Sequence, residues 1–140
     1  LKTLSKSISL FVVASAILLG GISFPQESDA KPKCLVKGSV DVNSGSGKPS
    51  KHFYFTAKQD FKPYIDMTFY GDKKGDGQIT LLGNGALDEG GFKSFKYTTK
   101  KQTKTFLLNN KKAKKNKKYE LYFVSEKNKP LHVKSFCLHG

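Results

Sequence analysis

From Cys34 onward, apolar residues return at nearly every second position. Cys34, Val36, Val40 and Val42 alternate with Lys37, Ser39 and Asp41, and Ile65, Met67 and Phe69 alternate with Asp66 and Thr68. Tyr119, Leu121 and Phe123 form one face of a further run, and Leu131, Val133, Ser135 and Cys137 share a face in the last. A period of two puts alternate side chains on opposite sides of an extended strand; a helix would need a period near 3.6, and no window beyond residue 31 keeps one. The runs fall at 34–42, 52–57, 64–70, 78–82, 92–99, 105–108, 119–124 and 131–137. Between them, 43–50, 71–77, 84–91, 111–118 and 126–130 read as loops or turns rich in Gly, Asn, Ser, Pro and Lys. Short strands at this spacing predict an all-β fold: a single antiparallel β-sandwich, Ig-like or jelly-roll-like, of seven or eight strands over residues 31–140. With 11 Phe, 6 Tyr and no Trp in the chain, Phe and Tyr must supply most of the core volume.

Residues 1–30 follow a different rule. Lys2 and Lys6 precede an apolar stretch from Ile8 to Phe24, Pro25 breaks it, and Ser28-Asp29-Ala30 places small residues at −3 and −1 of a cleavage site. The expectation is a secretory signal peptide, removed before Lys31. The stretch is at the lower limit for a membrane span, and Gly20 and Gly21 weaken its end. The domain at 31–140 is then extracellular or associated with the cell wall, where disulfides persist.

Cys34 and Cys137 are the two cysteines, and they stand near opposite ends of that domain. An even count in a secreted chain predicts one disulfide, tying the first strand to the last, in or beside the core. The chain-entropy model puts its worth at roughly 4–5 kcal/mol for a loop of about 100 residues.

Charge is distributed unevenly. The chain carries 25 Lys, no Arg and a net charge of +14. Residues 31–92 hold nine Lys against seven acids, whereas residues 93–140 hold fourteen Lys against Glu120 and Glu126. Lys111, Lys112, Lys114, Lys115, Lys117 and Lys118 fall within eight residues, expected to form an exposed hairpin loop. Such a cluster attracts polyanions without demanding exact register. Lys acts as a point charge and lacks the guanidinium fork that reads guanine, so sequence-specific nucleic-acid recognition is not expected. The six Tyr could offer stacking surfaces, although most strand tyrosines pack in or on a core.

Other chemistry is fragmentary. Asp72, Asp76 and Gly77 match part of a calcium loop, but Lys74 stands where an oxygen ligand belongs and Gly83 where a bidentate Glu belongs. A Gly-Asp-Gly turn explains the same residues, so neither metal nor other cofactor is expected. His52, His132 and His139 would suit a small basic ribonuclease if two of them converged beside a Lys. That is the one concrete enzymatic reading, and it ranks last. The ending Tyr119-Glu-Leu-Tyr-Phe-Val124, a turn, then Leu131-His-Val-Lys-Ser-Phe136 resembles small secreted β-sandwich modules. These include the pre-peptidase C-terminal-type and carbohydrate-binding domains of bacterial exoproteins, and the resemblance covers under a fifth of the chain.

The expected function is that of a secreted, cationic, non-enzymatic binding protein. Its Lys-rich face would meet anionic cell-wall polymer or a membrane surface, and a protein partner remains open. A bacteriocin-like or antimicrobial protein would use the same charge. An inhibitor of a secreted enzyme would instead act through a loop such as 43–50 or 84–91.

Overall fold

The computed structural model describes residues 32–44 and 50–140. The predicted signal peptide lies outside them, as does most of the predicted 43–50 loop. Lys33–Gly140 is one compact unit. It is built from eight strands: β1 (Val36–Val42), β2 (Phe53–Thr56), β3 (Tyr64–Gly71), β4 (Gly75–Gly83), β5 (Ala86–Tyr97), β6 (Gln102–Leu107), β7 (Lys118–Val124) and β8 (Leu131–His139).

They form two four-stranded antiparallel sheets, ordered β1-β8-β3-β6 and β2-β7-β4-β5. The partners run 1 with 8, 2 with 7, 3 with 6 and 4 with 5, as when one long hairpin is rolled over on itself. Of the two sandwich types expected, this is the jelly roll. The core lies between the sheets, where Phe53, Phe123 and Phe136 meet at one side and Phe69, Phe95 and Phe106 at the other. Tyr97 and Tyr119 are fully buried, and each satisfies its hydroxyl on main chain. Tyr97 donates to the Lys129 carbonyl at 2.6 Å, and Tyr119 accepts from the Lys114 N–H at 2.7 Å.

Four expectations need correction. The first concerns β8, whose side chains do not keep one phase. Val133 pairs with both Val40 and Phe69, whereas Phe136 pairs with Gly38 and Met67, so β8 carries one residue more than either neighbour. This β-bulge leaves Lys134 and Ser135 both exposed and returns Phe136 and Leu138 to the core. Cys137 therefore points away from the core. The Cys34–Cys137 disulfide forms as expected, with Cα atoms 5.2 Å apart, but on the outer side of its sheet.

The second is the 71–77 turn, which is shorter than expected because β4 already begins at Gly75. Its glycines are strand residues overlain by rings: a Cβ on Gly77 would lie 2.6 Å from Phe95 Cζ. Third, 84–91 is not a loop. Asn84 and Gly85 (φ 49° and 82°) make a two-residue turn flanked by the Gly83–Ala86 pair, and β5 starts at once. Two successive positive φ values define the type I′ turn that suits the strand twist. Fourth, the Lys-rich segment is no hairpin. It crosses from β6 in one sheet to β7 in the other, and Lys118 is already the first residue of β7.

Candidate functional site

The crossing segment is pinned along its backbone. Ala113 is buried and exchanges two hydrogen bonds with Phe61, at 2.9 and 2.6 Å. The Lys114 N–H donates to the Tyr119 hydroxyl, and the Lys115 N–H donates to Asp60 Oδ1 at 2.9 Å. Asn116, at φ 68°, donates its N–H to the Ala57 carbonyl, and Ala57 returns one to Lys117. One small apolar residue and one Asn in the left-handed region thus fasten a run that is otherwise all Lys.

The six lysines are not equivalent. Lys117 is half-buried and ion-paired with Glu89, and Lys114 Nζ lies 4.0 Å from Asp60 Oδ2. Lys111, Lys112, Lys115 and Lys118 are exposed, and none of them forms an ion pair among the described residues. Four ammonium groups thus have no carboxylate partner among the described residues and stand on a backbone that is held in place.

Lys118 leads onto the outer face of the β2-β7-β4-β5 sheet. Tyr54 pairs with Glu120 across β2 and β7, and the residue is 63% exposed. His52 stacks on Tyr122 with centroids 4.5 Å apart, and its Nδ1 bonds the Glu120 carboxylate. A depression of about 270 Å³ lies here, lined by Tyr54, Asn84, Gly85, Lys118, Tyr119 and Glu120. One wall is fixed: Asn84 Oδ1 accepts the Lys118 N–H at 3.1 Å, and the Asn84 N–H donates to the Lys118 carbonyl at 2.8 Å. Nothing in the sequence separates Tyr54 from the other five Tyr. The available signal was the adjacent Asn84-Gly85, whose turn chemistry brings β4 up beside Lys118.

The histidines do not converge. His52 belongs to Glu120 on one sheet. His132 and His139 lie in β8, seven residues and roughly 20 Å apart at strand spacing. His132 bonds Asp41 and Asp72, each at 2.8 Å, so it joins β1, β8 and the start of the β3–β4 turn. The Asp41 hydrogen bond outweighs the cost of partial burial and, with Asp72, holds its pKa above the ordinary histidine value. His139 Nε2 lies 3.1 Å from Asp66 Oδ2 and stacks on Tyr64. Burial opposes ionisation of Asp66, but the hydroxyl of Thr105 at 2.6 Å, together with His139, holds its pKa below the usual carboxylate value. Each imidazole faces different carboxylates, Glu120 for His52, Asp41 and Asp72 for His132 and Asp66 for His139, rather than pairing with another imidazole as a ribonuclease centre requires.

The carboxylates of the calcium-loop fragment engage other side chains. Asp72 serves His132, while Asp76 takes the Lys96 ammonium at 2.9 Å. Among the described residues no group of three or more His, Cys, Asp or Glu is placed to hold a metal ion.

No protein-family model matches the chain, and no curated protein matches it. Its fold is similar to that of a solved carbohydrate-binding module, CBM36 in complex with calcium and xylotriose. The two share 12% identity over 79% of this chain and 93% of that one, with a TM-score of 0.48. A likeness at this level assigns no residue of the present chain a role.

Proposed function

We propose that this domain is a secreted, non-enzymatic binding protein that attaches to an anionic cell-surface polymer through residues 111–118. The observation that carries the reading is the group of four ammonium groups without an ion pair among the described residues, Lys111, Lys112, Lys115 and Lys118, on a main chain anchored to Phe61, Ala57, Asp60 and Tyr119. A freely moving Lys-rich loop would lose conformational freedom on meeting its ligand; an anchored one has less to lose. Ammonium groups act as point charges, which suits a phosphodiester or carboxylate polymer offering anions at many positions.

Sedimentation with isolated bacterial cell walls tests the proposal. The protein is expected to pellet with intact walls and to stay in solution once their anionic polymers are stripped. Equal pelleting with both preparations would refute it.

A further inference from the structure

Resting on that reading, we infer that the depression beside Tyr54 is a sugar-ring subsite, so that the polymer bound is an acidic glycan. An exposed tyrosine alone means little, because single apolar side chains are common on protein surfaces. Here the neighbours give it a chemistry. The open face of an aromatic ring is electron-rich and attracts the weakly positive C–H groups on the face of a pyranose. Glu120 stands opposite Tyr54 in the register and lines the same depression, and a carboxylate there is an acceptor for sugar hydroxyls. His52 bonds that carboxylate, which fixes its orientation. The Asn84–Gly85 turn closes one side and is locked to the Lys118 main chain.

Charge selects among ligands that an aromatic ring could take. A quaternary ammonium would suit a ring beside a carboxylate. Lys118 lines the same depression, however, and Glu120 is already committed to His52. The local balance therefore favours a neutral ring bearing an anionic group, with the ring on Tyr54, the hydroxyls toward Glu120 and the anion toward Lys118. At about 270 Å³ the depression is smaller than the ~300–1,000 Å³ typical of sites for drug-sized molecules, which fits one ring of a chain running over the surface. Lys118 is also the last of the six clustered lysines, so a polymer seated on Tyr54 continues directly onto them.

Binding of the domain to polygalacturonate, which has sugar rings, and to inorganic polyphosphate, which has none, tests the inference. Four proteins are compared: wild type, Tyr54→Ala, Tyr54→Trp, and a variant with all six lysines of 111–118 changed to Gln. Because Tyr54 is largely exposed, its replacement leaves the fold intact, checked by circular dichroism. Tyr54→Ala is expected to weaken polygalacturonate binding about tenfold, the scale of one aromatic stacking contact, and to leave polyphosphate binding unchanged. Tyr54→Trp should keep the polygalacturonate affinity. If Tyr54→Ala changes neither affinity, or both equally, the subsite is refuted, as it is if wild type binds polyphosphate but not polygalacturonate. The Lys-segment reading fails separately, if the six-Gln variant keeps full affinity for polyphosphate.

Discussion

Replacing Tyr119 by Phe removes a single oxygen atom and connects the core to the proposed binding surface. The ring is fully buried and stacks on Phe55 at 5.5 Å and edge-on to Phe61 at 5.6 Å, and Phe keeps those contacts. What disappears is the acceptor 2.7 Å from the Lys114 N–H. A hydrogen bond of this kind is worth about 0.5–1.5 kcal/mol net, and leaving its donor partly buried without a partner raises the cost to about 1–3 kcal/mol. Lys114 lies in a partly solvated segment and can recruit water, so the lower part of that range, about 1–2 kcal/mol, is expected. For a domain near 100 residues, where 1 kcal/mol moves Tm by about 4–8 °C, that corresponds to a fall of about 4–16 °C. Hydrogen exchange localises the effect. The amides of Lys114, Lys115 and Asn116 should exchange faster in the variant, while those of β3 and β8 should quicken only by as much as global stability falls. If Tm moves by less than about 1 °C and exchange in 111–118 is unchanged, Tyr119 does not anchor the segment and its pre-organisation has another source.

Three further outcomes are expected. Changing Cys34 and Cys137 together to Ala should cost about 2–5 kcal/mol in urea denaturation, because the bridge spans 103 residues of sequence; a loss below about 0.5 kcal/mol would show that the strand pairing alone holds the ends. Stability should fall as pH rises above about 6.5: the raised pKa of His132 stabilises the fold fully below the unfolded histidine value, and the gain is lost as pH passes through the folded one. Asp66 acts in the opposite sense and only in acid, so a His132→Gln variant should show a shallower slope between pH 6 and 8, and an unchanged slope would acquit His132. Gly77→Ala should destabilise by about 1–3 kcal/mol, since its Cβ meets the Phe95 ring; a neutral result in thermal melting would mean that the ring shifts freely.

The fold was legible where alternation is regular. Ile65, Met67 and Phe69 face inward and Asp66 and Thr68 outward, as their spacing demands. Prediction failed where the backbone departs from that rule. The bulge at Lys134 and Ser135 is set by pairing with β1 and β3, which no property of β8 alone reveals, and it moves Cys137 from the inner face to the outer. The Asn84-Gly85 pair is itself a strong hairpin signal, but the polar, glycine-rich stretch that follows hides the start of β5. At the site, charge density marked residues 111–118 without structure. The sequence could not show that Glu89 and Asp60 engage two of the six lysines, because both acids reach the segment from other parts of the chain.

That difference between six lysines and four supplies the most direct test of the central claim. Affinity for an anionic polymer is measured by isothermal titration across a series of salt concentrations, for wild type and for the six-Gln variant. Each lysine that neutralises a phosphate adds about one unit to the slope of log affinity against log salt. The slopes should differ by about three to four units, one for each of Lys111, Lys112, Lys115 and Lys118, because Lys114 and Lys117 already face carboxylates. Identical slopes for the two proteins would contradict the account and leave residues 111–118 as a solvated crossing between sheets.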